Sequence, residues 1–447
     1  MSSHPQDRSV DWRPEIQAAL VIHPVRAGRR SLRAPEARLD EAVGLAEALD
    51  LQVRHAAVAH LRAATPATLF GKGKTAELGD LARKYDVNVV VVDDALTPVQ
   101  QRNLEKAWSV KVLDRTGMIL EIFARRARTR EGRLQVELAR LAYERSRLVR
   151  TWTHLERQRG GFGVMGGPGE TQIETDRRLL ADKIGRLKRE LEEVRRTRGL
   201  QRSARQKAPF RSAALVGYTN AGKSTLFNRL TESAVEARDM LFATLDPTLR
   251  TVRLPGGRGA ILSDTVGFVS DLPHELVDAF RATLEEVQQA DVILHVRDLS
   301  SPESEAEAAD VAEVLGQLKA GKDGQVVVEV WNKIDRLSDE DREALQGKSR
   351  RARVLGEHPA VALSAVTGEG CDDLRELLAA LLDEEAPLEA ELGPGQGEAL
   401  AWLYRHGRVL SRLDRPDGGL KLEVRLDPQA LGQFERLYPQ TRLDGRL

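Results

Sequence analysis

AALVGYTNAGKST, residues 213–225, decides how the rest of the chain is read. Residues 213–216 are a short apolar run of the kind that forms a buried strand, and it opens into Gly217, Tyr218, Thr219, Asn220, Ala221, Gly222, Lys223, Ser224 and Thr225. The spacing G-x-x-x-x-G-K-S is that of a phosphate-binding loop. Its glycines let successive backbone N–H groups turn inward around a phosphate chain, Lys223 reaches the terminal phosphates, and Ser224 offers a hydroxyl to Mg²⁺. A helix beginning near Lys223 adds the positive end of its dipole.

Three further motifs follow in order. Asp264-Thr265-Val266-Gly267 closes an apolar run, where a carboxylate can hold Mg²⁺ through water and a glycine N–H can meet the terminal phosphate. Asn332-Lys333-Ile334-Asp335 closes the run 326–331. Asp335 can accept two hydrogen bonds from guanine N1–H and N2–H₂, which adenine cannot supply; sites built this way discriminate by ~10⁴ or more. Leu363-Ser364-Ala365 closes a third run and offers a backbone N–H to guanine O6. Each motif sits at the carboxyl end of an expected strand, where open α/β sheets bind ligands, so the reading is a guanine nucleotide site for GTP and GDP.

The chain has 447 residues, enough for about three domains. A single cysteine, Cys371, excludes an internal disulfide framework or a cysteine-built zinc site, and the cytoplasm is the expected compartment. No apolar run approaches the ~20 residues of a membrane span, so stable membrane insertion is not expected. The formal net charge of zero hides an asymmetry: residues 125–211 hold 24 Lys or Arg against 11 Asp or Glu, a net of +13, which leaves −13 on the remainder. Such a split points to a polyanionic partner.

Residues 15–116 alternate apolar runs (18–22, 51–58, 87–92, 110–113) with helical patterns (35–49, 74–84, 98–108), which predicts a parallel-rich α/β domain over 1–116. From 117 to 205 the pattern becomes long helices. Leu134, Leu138, Leu141, Leu148, Trp152 and Leu155 repeat at heptad spacing, as do Ile173, Leu180, Ile184, Leu187, Leu191 and Val194, so an antiparallel hairpin is expected with a glycine-rich tip at 160–169. The nucleotide domain follows over 206–386, with a hairpin around Pro255-Gly256-Gly257 and a helix on Leu276, Phe280, Leu284 and Val287. Residues 386–397 read as a linker, and 387–447 as a small α+β appendage.

The chain resembles the HflX GTPases. The matching stretches are FGKGK at Phe70, QQRNLE at Gln100, DRTGMILEIFARRARTREGRLQVELARL from Asp114, RGGFGVMGGPGETQIETDRR from Arg159, GYTNAGKS, LFATLDPT from Leu241, DTVGF and NKID. The resemblance implies a Mg²⁺-dependent GTP hydrolase that associates with the large (50S) ribosomal subunit and splits stalled or idle ribosomes; a monomer is expected. The hairpin tip would approach ribosomal RNA. It also implies that Phe242, Ala243, Thr244, Leu245 and Asp246 form the switch around the nucleotide, with Thr244 reaching Mg²⁺ and the terminal phosphate. Phe268 stands after Gly267, where many GTPases place a water-orienting glutamine, so slow unassisted hydrolysis is expected. Asn220 resembles the loop asparagine that supports K⁺ in related GTPases. The competing expectations are a ribosome-biogenesis GTPase and a GTP-dependent RNA-binding module whose hydrolysis is incidental. A tRNA-modifying GTPase is disfavoured, because the carboxy-terminal cysteine motif of such enzymes is missing from a chain that ends DGRL.

Overall fold

A computed structural model describes residues 17–27, 33–158, 168–206, 211–233, 241–242, 247–255, 259–271, 284, 286–321, 325–355, 359–382, 388–426 and 428–445. The chain divides into two units. One comprises residues 1–192 with 273–279; the other comprises 193–272 and 280–447.

The first unit opens with four parallel strands, β1 (Ala18–Arg26), β2 (Gln52–Leu61), β3 (Val89–Val92) and β4 (Lys111–Asp114), in the order β2-β1-β3-β4. Helices α1 (Pro35–Glu47), α2 (Lys72–Lys84) and α3 (Pro98–Trp108) make the crossovers, as the alternation of apolar runs predicted. Local chemistry fixes the helix starts. Pro98 occupies the first turn of α3, and Thr97 and Gln100 form a reciprocal capping box that satisfies two otherwise orphan N–H groups. The Val89–Val92 run is buried throughout, as a central parallel strand must be.

Helix α4 (Arg115–Arg126) lies inside the segment read as the start of the hairpin. It buries Met118, Ile119, Ile122 and Phe123 and packs against α1, β3 and β4. The hairpin helices are α5 (Arg130–Gln158) and α6 (Pro168–Gln206). Leu134, Leu138 and Leu141 meet Leu180, Ile184 and Leu187 in one apolar seam, and Lys183 pairs with Glu137 across it at 2.9 Å. The heptad reading holds for these residues. Positions 159–167, most of the glycine-rich tip, lie outside the described residues. The base of α5 is tied to the sheet: Tyr143 Oη donates to Asp114 at 2.7 and 2.8 Å, and Asp114 also caps α4 through Gly117 N–H at 2.8 Å.

In the second unit, six strands follow the order β10-β9-β8-β5-β7-β6. They are β5 (Ser212–Gly217), β6 (Thr248–Arg253), β7 (Gly259–Asp264), β8 (Val292–Asp298), β9 (Val326–Asn332) and β10 (Ala360–Ala362). Among these described strands only β6 runs antiparallel, joined to β7 as the hairpin signal predicted. β8 sits at the centre of the sheet but ends in no nucleotide motif, and a reading organised by motifs passes over it. Helices α7 (Lys223–Thr231), α8 (Ser304–Gln317), α9 (Asp339–Leu355) and α10 (Cys371–Leu381) complete this layer. Leu226, Phe227 and Leu230 of α7 close over Leu215, Leu262 and Leu294 of the sheet. Residues 272–283 and 285, where a helix was expected, lie outside the described residues; Leu284 and Val287 are buried.

The carboxy-terminal segment is more ordered than the sequence suggested. The expected linker contains β11 (Leu388–Leu392), followed by α11 (Gly397–His406), β12 (Arg408–Asp414), β13 (Leu420–Arg425), α12 (Pro428–Leu437) and β14 (Arg442–Gly445). The antiparallel order β12-β13-β11-β14 with this βαββαβ succession is the ferredoxin-like arrangement. Ala390, Leu392, Leu422, Val424 and Phe434 form its core.

Candidate guanine nucleotide site

The motifs expected from sequence converge at the carboxyl edge of the second sheet. β5 delivers Gly217 at φ +153°, where a Cβ would lie 2.2 Å from Val296 O of the neighbouring strand, so only glycine lets the chain turn there. Gly222 caps α7 at φ +92°, and a Cβ on it would lie 2.3 Å from Asn332 Nδ2. Between them Asn220 is exposed and left-handed, φ +60°, a region asparagine tolerates. Ala221 is buried, and Thr225 lies in the first turn of α7.

Lys223 is buried, and its ammonium donates to Gly217 O at 3.0 Å and Tyr218 O at 2.7 Å, bridging the loop it belongs to. Burial pushes this ammonium down to about 8, with Asp264 pulling the other way. Ser224 Oγ donates to Asp264 Oδ2 at 2.7 Å, so the hydroxyl of the phosphate helix and the carboxylate at the end of β7 meet. Thr265 Oγ1 donates to Leu215 O at 2.6 Å and fixes the strand end that carries Asp264.

The segment after Asp264 is zipped to the phosphate loop. Thr219 N donates to Phe268 O at 2.7 Å, Phe268 N donates to Gly217 O at 3.1 Å, and Ser270 N donates to the Tyr218 hydroxyl at 2.7 Å. Gly267 is pressed in by this bridge: a Cβ there would lie 2.8 Å from Thr219 Cγ2 and 3.1 Å from Lys223 Nζ. Val266 and Phe268 are buried. Phe268 therefore meets the phosphate loop with its backbone and offers no side-chain hydrogen bond. Phe242 is buried with φ +57°, whereas Ala243, Thr244, Leu245 and Asp246 lie outside the described residues.

The base-reading motifs adjoin one another. Asn332 is buried and spans two loops: its Nδ2 donates to Ala221 O at 2.8 Å, and its Oδ1 accepts from Ala365 N at 3.0 Å. Ile334 N reaches Leu363 O at 3.4 Å, which draws the two loops together, and Asp335 stands exposed in the short turn Ile334–Arg336. Lys333 is left-handed, φ +64°, and pairs with Asp298 at 2.6 Å; sequence reasoning missed this support because Asp298 belongs to no motif. The Ser364 hydroxyl accepts from Thr367 N at 3.1 Å and closes the turn that presents Ala365.

A loop of P-loop spacing, a serine bonded to a buried carboxylate at the start of its helix, and the adjoining turns 332–336 and 363–368 on a mostly parallel sheet define a P-loop GTPase. The family described as "50S ribosome-binding GTPase" matches residues 212–333, "GTP-binding GTPase N-terminal" matches 36–124, "GTP-binding GTPase Middle Region" matches 126–205, and "HflX C-terminal domain" matches 350–442. GTPase HflX of Magnetococcus marinus is 51% identical over 398 residues, covering 89% of this chain and 90% of that protein. GTPase HflX of Escherichia coli is 45% identical over 367 residues, covering 82% and 84%. A GTP-binding protein from Sulfolobus solfataricus, solved with GDP, is 22% identical with a TM-score of 0.44, over 82% of this chain and 98% of that one. The chain belongs to the HflX family of GTPases and hydrolyses GTP.

Proposed function

We propose that the nucleotide occupies the loop 217–225, with Lys223 on the terminal phosphates, Asp335 on guanine N1–H and N2–H₂, and a backbone N–H of the loop 364–366 on guanine O6. The convergence of these groups at one sheet edge supports that reading. The family implies Mg²⁺, and the residues fit it. Ser224 Oγ and the buried Asp264 carboxylate are hard oxygen donors 2.7 Å apart at the start of the phosphate helix. Ser224 and Asp264, joined by Thr244, would hold the ion, which neutralises charge on the phosphates. With Phe268 in place of a polar side chain, orientation of the attacking water falls to groups outside this side chain: the ribosome, or K⁺ held near Asn220.

The partner we propose is the large ribosomal subunit, with GTP-dependent splitting of ribosomes as the outcome. The observation that supports it is the α5–α6 hairpin, which lies wholly within the segment of net charge +13 and overlaps the family's middle region. The described carboxy-terminal sheet offers no comparable surface. Its strands direct Glu389, Glu391 and Glu423 away from the core, with Lys421 paired to Glu389 at 2.8 Å and Arg415 to Glu391 at 3.4 Å. A base-stacking platform needs aromatics at such positions. Sedimentation of ribosomes after adding the protein with GTP, GDP or a non-hydrolysable analogue tests the proposal. Free subunits should accumulate with GTP and the analogue but not with GDP. Intact 70S particles in every arm refute splitting, and cofractionation with free large subunits alone turns the reading toward subunit assembly.

A further inference from the structure

The loop 364–368, which adjoins the turn carrying Asp335, is held from behind by a residue outside every nucleotide motif. Arg229, in the last turn of α7, donates its Nε–H to Ala365 O at 3.2 Å and an Nη2–H to Val366 O. Its guanidinium also lies against Gly368, where a Cβ would come within 3.4 Å of Nη1; that glycine has φ +94° and its N–H closes the loop onto Ser364 O at 2.9 Å. Arg229 is held in turn, since its carbonyl accepts from Arg375 Nη2 of α10 at 3.4 Å. The fork of a guanidinium suits two successive carbonyls in a way that one ammonium does not. α7 begins at Lys223, so Arg229 joins the far end of the phosphate helix to the loop 364–368 across 136 residues of sequence.

We infer that Arg229 is a specificity-positioning residue: by fixing the carbonyls of Ala365 and Val366 it holds their peptide planes, and with them the Val366 N–H that shares the plane of the Ala365 carbonyl, beside guanine O6, while Ala365 N–H stays with Asn332 Oδ1. This rests on the base-reading assignment made above. Arg229 touches no base itself. Its side chain is solvent-exposed, so the effect of losing it is that of two screened hydrogen bonds rather than of a buried pair.

The test measures affinities of wild type, Arg229→Ala and Arg229→Lys for three nucleotides by fluorescence titration. GDP has O6; inosine diphosphate keeps O6 but lacks the N2 amine; the diphosphate of 2-aminopurine riboside lacks O6 and, with it, the hydrogen on N1. Arg229→Ala should weaken GDP and inosine diphosphate alike, by about three- to tenfold, and leave the 2-aminopurine compound within about twofold. Arg229→Lys should recover part of the loss, because one ammonium can reach one of the two carbonyls. Equal weakening of all three nucleotides would show that Arg229 only stabilises α7, and no weakening would show that it does not position the loop; either overturns the inference. If wild type itself binds the 2-aminopurine compound as tightly as GDP, the assignment of the loop 364–366 to O6 and of Asp335 to N1–H fails, and that failure is visible before any variant is made.

Discussion

Replacing Asn332 by alanine removes the side chain that joins the phosphate loop to the base-reading loop. Two buried backbone groups lose their partners, Ala221 C=O and Ala365 N–H, on residues that are only 1% and 3% exposed. Leaving a buried polar group unsatisfied costs about 1–3 kcal/mol, so the pair is worth about 2–6 kcal/mol, and water entering at the rim of the site brings the expectation to about 3 kcal/mol. That is more than a hundredfold in the local opening equilibrium. Hydrogen exchange resolved over residues 218–222 and 361–368 reads it directly, and GDP affinity should fall by at least tenfold in parallel. Asn332→Asp separates the two ties. Its carboxylate still accepts from Ala365 N, so protection at that amide should persist, while a lone pair now faces Ala221 O and the phosphate loop should loosen. Exchange unchanged within error in Asn332→Ala, with GDP affinity within twofold of wild type, would refute this account.

Four further outcomes are expected. Because burial lowers Lys223 to about 8, the charged form that phosphates bind is present below that pH and lost above it, so GDP affinity should fall about fourfold from pH 7 to pH 8.5; a flat profile would contradict it. Asp335→Asn should cost guanine nucleotides several kcal/mol and favour xanthine, and unchanged GDP affinity would show the site to be misassigned. Turnover by the free protein should be slow and faster in K⁺ than in Na⁺; fast turnover would count against the Phe268 argument, and equal turnover against the cation. Neutralising Arg128, Arg130 and Arg133 should weaken large-subunit binding and lower its salt slope by ~0.7–0.9 for each phosphate no longer neutralised, without affecting GTP binding, whereas an unchanged slope would make the arm a spacer. Arg125 belongs less to that set than its sequence position suggests, since it already donates to Leu49 O at 2.8 Å and Asp50 at 3.0 Å.

The candidate site was legible because each of the motifs that converge there is local. Gly217, Lys223, Ser224, Asp264 and Asn332 lie at chain reversals whose chemistry is written in four to eight consecutive residues. What supports those groups was not legible. Asp298 under Lys333, Ser270 on the Tyr218 hydroxyl and Arg229 behind Ala365 are pairings between distant segments, and no spacing rule announces them. Strand β8 escaped for a related reason: its buried stretch, Val292–Val296, is mostly apolar and carries none of the nucleotide motifs. In the carboxy-terminal segment, Leu388–Leu392 alternates over just five residues beside prolines and glycines, and its partners β13 and β14 come at least 28 residues later in the chain, so it read as linker. The break between α4 and α5 was hidden because a basic, leucine-bearing helix looks alike whether its apolar side meets a sheet or another helix.

The hydrogen bonds that Lys223 makes within its own loop bear on how product leaves. A lysine that relied wholly on phosphate oxygens would strand a buried ammonium each time GDP departed, and dissociation would carry that desolvation penalty. Here Gly217 O and Tyr218 O accept from the ammonium, and the Ser224 hydroxyl has the Asp264 carboxylate as its acceptor. The chain thus gives both groups partners of its own, beside any that phosphate oxygens would add. A nucleotide leaving this loop would therefore leave neither the buried ammonium nor the serine hydroxyl without a partner.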